Sequence, residues 1–432
     1  MVCRLPFGKT GMELHADDPG AEVLVSRIGE LRAGDSEDAI VQAAMAAPIG
    51  SPTLRALSRG KKSCTILVSD HTRPVPSRHI LPFMLAELRA GSPGIAVTLL
   101  VATGFHRPST PQELADKLGP EIYGHERIVL HDSRSAAANV DIGVLPSGAR
   151  CVIDRTAAEA ELLIAEGFIE PHFFAGFSGG RKSVLPGICD QVTVLGNHCA
   201  RFIASPCART GVLQGNPLHR DMLAASRMAG LAYIVNVLID EHKKVAAAFA
   251  GDPVLAHEAG CRLLTEYCRV RPARRGDIVV STNGGYPLDQ NLYQSVKGLT
   301  AAEAAAAPGA VLIMVSACAD GHGGDSFYRT LRDCASAQEL TQRILATPQD
   351  KTVPDQWESQ ILARILCKHR VIFVTEPAQR RLVEDMKMSW APDADAALAM
   401  ARAEKGPAAH LVVIPNGISV IVQEGPRSGP AI

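Results

Sequence analysis

His172 opens the run HFFAGFSGGRK, which closes on Lys182 and so sets an imidazole, a Gly-rich bend and a primary amine within one short segment. His198 follows in LGNHCARF, and His106 precedes in LVATGFHRPSTPQEL. Imidazoles serve as metal ligands and as general bases near neutral pH, and a deprotonated lysine is a nucleophile. Three histidines and a lysine in such polar, Gly-rich settings point to a metal or cofactor site rather than a packed interior. The segment GFSGGRKS is not a phosphate-binding P-loop. That loop needs four residues between its glycines and a Gly directly before the Lys, where this chain has Arg181. The bend can still aim successive N–H groups at an anion.

The elements that must position these residues alternate between strand-like and helix-like text. CTILVS (Cys64 to Ser69), IAVTLLVAT (Ile95 to Thr103) and ELLIAEG (Glu161 to Gly167) are the continuous apolar runs of strands buried on both faces. A helix is expected from Thr110, where TPQE supplies a Thr N-cap, Pro at the first helical position and Glu at the third. YCRVRPARRG (Tyr267 to Gly276) reads as a linker or hinge. After it the alternation restarts with DIVVST, a helical NLYQSVKGLTAAEAAAA that includes Ala301 to Ala307, then AVLIMVSA, RVIFVTEP and HLVVIPNG. The expected fold is therefore α/β: two α/β domains with mostly parallel sheets, residues 1–268 and 275–432, the second Rossmann-like. Ligands in such sheets sit beyond the carboxyl ends of strands, and DHTRP (Asp70 to Pro74), His106 and His172 all follow strand candidates.

Composition excludes several classes. The 44 basic and 45 acidic residues leave no basic field for nucleic acid or an anionic membrane. No apolar run approaches the roughly 20 residues that span a bilayer, and the N-terminus lacks the apolar core of a secretory signal, so a cytoplasmic protein is expected. Eleven cysteines without a CxxC pair fit reduced packing residues.

Six blocks together resemble the nickel-dependent lactate racemase family, the 2-hydroxyacid racemases and epimerases that use a nickel pincer nucleotide. They are DHTRPVPS, ATGFHRP, EPHFFAGFSGGRK, the GNH ending at His198, LYQSVK and DQWESQ, in family order along almost the whole chain. The resemblance implies a pyridinium-3,5-bisthiocarboxylic acid mononucleotide joined to Lys182, with Ni(II) held by two sulfurs, a ring carbon and His198. Such soft, planar ligation suits Ni(II) better than Zn(II). It implies His106 and His172 as the two general acid/bases, since the two antipodes of a 2-hydroxy acid present their hydroxyls to different sides. It further implies Asp70 and Thr72 as nucleotide contacts, and Arg73, Gln294, Lys297 and Trp357 as substrate contacts. The active site would then lie in the cleft between the domains, with closure about the hinge excluding water. The implied partners are a small 2-hydroxy acid and the proteins that build the cofactor.

Other readings stay open at this level. Asp70, Thr72 and Arg73 can cap a helix near Pro76, His106 can be an exposed loop residue, and His172 a satisfied core histidine. His106, His172 and His198 can be three ligands of a zinc hydrolase, or Lys182 and His198 can belong to a non-catalytic carrier of the nucleotide.

Overall fold

The computed structural model describes all residues except 17, 32–35, 241 and 424–432. The chain divides into two units, Ile28–His198 with Ser205–Tyr267, and Met1–Arg27 with Cys199–Ala204 and Cys268–Ile432. The fold is α/β with mostly parallel sheets.

The unit that carries the histidines is built on a six-stranded sheet. Its spatial order is Val245–Gly251, Leu231–Ile239, Leu163–Phe168, Ser63–Ser69, Ala96–Ala102 and Arg127–Leu130. Every pairing is parallel except the one between Leu231–Ile239 and Val245–Gly251. Ile66, Val68, Leu99, Val101, Ile164 and Val235 are all at most 1% exposed and share one core, each worth about 1.5–3 kcal/mol of burial. Two-sided burial explains why these strands read as unbroken apolar text. The chain runs outward from Ser63–Ser69 in one direction, then returns to its other side through Leu163–Phe168. That reversal is a topological switch point, and the loops after both strands open there.

The second unit has a wholly parallel sheet in the order Ser389–Ala391, Arg370–Val374, Ala306–Val315, Gly276–Thr282, Leu411–Ile414 and Glu22–Val23. Leu5 and Leu14, from the hairpin Val2–Leu5 and Met12–His15, are fully buried in its core with Ile278, Val280 and Ile313. That burial is why the first residues belong to this unit.

Several local expectations need adjustment. The helix Leu292–Ala305 stops before Ala306, which begins the strand Ala306–Val315. Pro308 disfavours the α conformation in the residue before it, so the Ala-rich run cannot stay helical to Ala307. Tyr267 and Cys268 end the helix Leu255–Cys268, and Arg269–Val270 pairs with Ile421–Val422, so the basic stretch is partly ordered secondary structure. The helix Ser77–Gly91 starts without a side-chain cap, so Asp70, Thr72 and Arg73 do not cap it. The Thr110 capping box forms as read, with Thr110 and Glu113 bonding reciprocally. All eleven cysteines are free thiols. No helix among the described residues is long and apolar enough to cross a membrane.

Candidate functional site

Asp70 leaves the carboxyl end of Ser63–Ser69 and turns at once. Its Oδ1 accepts the Thr72 N–H at 3.0 Å and the Thr72 hydroxyl at 2.6 Å, an Asx turn that a short carboxylate favours. Its Oδ2 accepts from His106 Nδ1 at 2.5 Å, His106 having been delivered by the loop after Ala96–Ala102. Burial pushes the Asp70 carboxyl up, but the bonds and charges of His106, Arg73 and Thr72 outweigh it and hold the group at about 2. A carboxylate at Nδ1 fixes the tautomer and leaves Nε2 as the acceptor, the arrangement that orients a general base. The Asp70 side chain is 1% exposed whereas that of His106 is 40% exposed, so the acid is interior and the imidazole outward. Arg73 Nη1 donates to the Thr72 hydroxyl at 3.2 Å, and Lys117 donates to the Arg73 carbonyl at 3.0 Å.

One acid beneath this loop was not singled out from the sequence. Glu166, inside the strand Leu163–Phe168, accepts from Ser69 N–H and Oγ at 2.9 Å each and from Ser77 Oγ at 3.1 Å. It ties the strand end before Asp70 to the helix after it. A glutamate within ELLIAEGF is the signal that pointed there, since a buried acid in an apolar strand needs donors.

His172 lies in a two-residue strand, Pro171–His172, paired with Gly176–Phe177. Its ring stacks on Phe173 at 5.1 Å and meets Phe174 edge-on at 4.6 Å. The Ala175 N–H donates to His172 Nδ1 at 3.3 Å, and Lys182 Nζ stands 3.3 Å from Nε2. Lys182 sits in a single 3-10 turn, Gly180–Ser183, preceded by Gly179 at φ +72°. The Gly180 N–H is taken by Asn236 Oδ1 at 2.7 Å, so that donor of the bend serves the protein rather than an anion. Asn236 interrupts the apolar strand YIVNVLI, and that interruption was its legible signal.

Arg181 is a third residue missed. It is 1% exposed and donates to the carbonyls of Ala175 at 2.8 Å and Gly179 at 3.3 Å and to His219 Nδ1 at 3.0 Å. Burial lowers its guanidinium to about 10. Its forked donors clamp the hairpin that holds His172 to the bend that holds Lys182.

A methyl at Gly180 would lie 2.8 Å from the buried His257 ring, at φ +53° where side chains are strained. Gly180→Ala should therefore destabilise the protein by about 1–3 kcal/mol in urea unfolding. An unchanged midpoint would mean that the bend shifts freely.

His198 caps the helix Gln191–Asn197 and is 4% exposed. Burial, reinforced by the charge of Lys182, lowers it to about 3, so it is neutral at physiological pH. Its Nδ1–H donates to the Val194 carbonyl at 3.0 Å, which fixes the ring's orientation. Phe174 is the hub of the group: its ring is 4.6 Å from His172, 5.2 Å from His198, and 5.8 Å from Lys182 Nζ. Among the described residues no three His, Cys, Asp or Glu side chains are arranged to hold one ion, so the three-histidine zinc site lacks its geometry.

In the other unit, Gln294 and Lys297 lie on the helix Leu292–Ala305, N-capped by Asn291. Lys297 Nζ donates to Gln294 Oε1 at 2.7 Å, as their spacing of three on one helix face allows. Leu292 and Tyr293 donate N–H groups to the carbonyls of Gly321 and His322, which fixes this helix start. Gly323, at φ +76°, packs so tightly on Asn291 that a Cβ would lie 2.4 Å from its Cγ. Trp357 is 8% exposed on the helix Gln356–Leu366 and hydrogen-bonds Tyr293, which also bonds Asp355.

Comparison with known proteins identifies the family. The N-terminal domain of the lactate racemase family matches residues 7–211, and its C-terminal domain matches residues 271–422. A lactate racemase from Thermoanaerobacterium thermosaccharolyticum is 49% identical over 421 residues, 97% of this chain and 99% of its own. One from Lactiplantibacillus plantarum is 50% identical over 420 residues, again 97% and 99% of the two chains. The structure of the lactate racemase apoprotein from T. thermosaccharolyticum superposes with a TM-score of 0.94 at 48% identity, over 98% of this chain and 100% of that one. A protein from Thermotoga maritima, at TM-score 0.65 and 18% identity over 90% and 98% of the two chains, shares the fold alone. The chain belongs to the lactate racemase family.

Proposed function

We propose that this protein is a racemase of a small 2-hydroxy acid, lactate or a close analogue, working with a nickel pincer nucleotide attached at Lys182. The observation that carries the reading is the gathering of His172, Lys182 and His198 around Phe174. An amine for covalent attachment, a neutral imidazole for a metal and a second imidazole for proton transfer stand within one aromatic-lined group.

The residues fit such a group. His198 is a buried, uncharged imidazole held by the Val194 carbonyl, the kind of donor that suits a metal whose other ligands come with an organic cofactor. When bound, such a nucleotide, held by Lys182 and His198, would supply an acceptor and donor for the Cα hydride.

The chain's own residues handle everything else. His106, oriented by Asp70, takes the hydroxyl proton from one antipode through Nε2, and His172 serves the other. Each returns the proton when the hydroxyl re-forms. Lys297, with Gln294 beside it, receives the substrate carboxylate as a point charge, and Arg73 offers a planar fork for the same kind of group. Asp70 and Thr72 remain assigned to the nucleotide end of the site, although the Asp70 carboxylate is already occupied by His106 and Thr72. Trp357 forms an apolar wall for the substrate side chain.

The test is interconversion of enantiopure lactate in D₂O by protein loaded with the nucleotide. Racemisation with Cα protium retained is the expected result. Deuterium at Cα would replace hydride transfer with a carbanion route, and no turnover on lactate or its homologues would favour the carrier reading.

A further inference from the structure

His131 directly follows the strand Arg127–Leu130, and its side chain is 0% exposed. Its ring lies between two acceptors: Nδ1 is 3.0 Å from Asp154 Oδ2, and Nε2 is 3.0 Å from the Cys189 carbonyl oxygen. A carbonyl only accepts, so Nε2 carries a proton and donates it. On the other side the ring meets a carboxyl group whose Oδ1 already accepts the Thr156 N–H at 2.9 Å. A second proton lies between Nδ1 and Oδ2, because two lone pairs facing each other in a dry interior would repel. Both ring nitrogens are thus spent on the protein itself.

The segments joined here are the ones that carry His106 and Lys182. The His131 carbonyl accepts the Thr103 hydroxyl at 2.7 Å, and the Thr103 carbonyl accepts the His106 N–H at 2.9 Å. Two residues before Cys189, the Gly187 N–H donates to the Lys182 carbonyl at 3.2 Å, and the Gly187 carbonyl accepts the Gly104 N–H at 2.9 Å. A Cβ at Gly187 would lie 2.3 Å from the Ser183 carbonyl oxygen and 3.0 Å from Ala102 Cβ, so the two segments are in close contact there. Through Thr103 on one side and Cys189 on the other, His131 ties the His106 loop to the turn that presents Lys182.

We propose that His131 is a positioning residue for racemisation, fixing the His106 loop against the Lys182 turn. The inference rests on the reading of His106 as a base and Lys182 as the attachment point. Its effect falls on the alignment of reacting groups, where a displacement of about 1 Å costs about 10²-fold, and so on kcat rather than on KM.

The experiment measures kcat and KM for loaded parent, His131→Asn and His131→Gln proteins. The Asn amide reaches the place of Nδ1 and keeps a donor for Asp154 alone, whereas the Gln amide reaches the place of Nε2 and keeps the donor for Cys189. In His131→Asn, kcat should fall about 30-fold with KM within about twofold of the parent and the adduct mass complete. His131→Gln should recover kcat to within about threefold of the parent. Equal kcat in the two variants, or a loss confined to KM, would overturn the proposal. Should His131→Asn not fold, Thr103→Val carries the same test by removing only the hydroxyl donor: kcat should fall about threefold or more, and an unchanged kcat counts against the tie. Amide hydrogen exchange of the apoprotein needs no activity. The Gly104 N–H should exchange at least about tenfold faster in His131→Asn than in the parent, and at the parental rate in His131→Gln. Equal protection in all three proteins would remove the role of His131. A loaded parent that racemises no 2-hydroxy acid would instead end the racemase reading, with the exchange result still deciding whether His131 holds the two segments together.

Discussion

Lys182→Ala is expected to remain folded yet to take up no nucleotide, and its racemisation should fall by at least about 10⁴-fold, to background. Covalent attachment needs a primary amine at this point of the 3-10 turn, and the neighbouring side chains offer no substitute: Arg181 is fully engaged inside the fold and Ser183 is a poorer nucleophile. The half-buried Lys182 contributes little to the core, so thermal unfolding of the apoprotein should shift by only a few degrees. Intact mass of parent and variant after identical loading is the deciding measurement. A variant that still gains the full mass of the nucleotide would move the attachment elsewhere. Lys182→Arg sharpens the test, because it keeps the charge beside His198 but removes the nucleophile.

The second large effect lies at the Asp70–His106 pair. His106→Ala and His172→Ala should each lower turnover by about 10²- to 10⁴-fold while leaving the covalent adduct intact. Asp70→Asn should approach the His106→Ala loss, because an amide at Oδ2 no longer fixes the imidazole with Nε2 as acceptor. Stability supplies an independent reading with a definite sign. The folded Asp70 titrates near 2 and the unfolded one near its usual value of about 3.9, so the native state favours the carboxylate. Its contribution, about 2 kcal/mol, is present in full above the unfolded value and disappears as pH falls through 4 toward 2. Asp70→Asn should therefore be less stable than the parent at pH 7 and show a flatter fall below pH 4 in urea unfolding. Parallel pH profiles for the two proteins would mean that the pair contributes no net stabilisation.

The two units expose different parts of this chemistry to sequence reading. The six motif blocks carry the residues that the resemblance assigns to cofactor, substrate and metal, and their chemical types are visible one by one. The residues that hold them are not. Glu166, Asn236 and Arg181 each complete a contact with residues remote in the chain, as Asn236 does with Gly180 and Arg181 with His219. A single polar letter within an apolar strand announces that a partner exists, but not which one. Phe174 reads as an ordinary aromatic core residue until His172, Lys182 and His198 are seen around it.

The sequence by itself determined the α/β alternation, because parallel strands covered on both faces must be written as unbroken apolar runs. It also determined the Thr110 helix start, since Thr, Pro and Glu at that spacing satisfy the first N–H groups locally. The resemblance of its motifs named the family. Only the tertiary structure decided that the Ala-rich helix ends at Ala305, that Asp70 serves His106 rather than capping the next helix, and that Glu358 is buried without a donor. Propensity and capping are local and act over a few residues, whereas strand order and helix packing decide which side chains meet. A carboxylate finds its imidazole, or is left without any partner, only when the sheet and its loops are assembled.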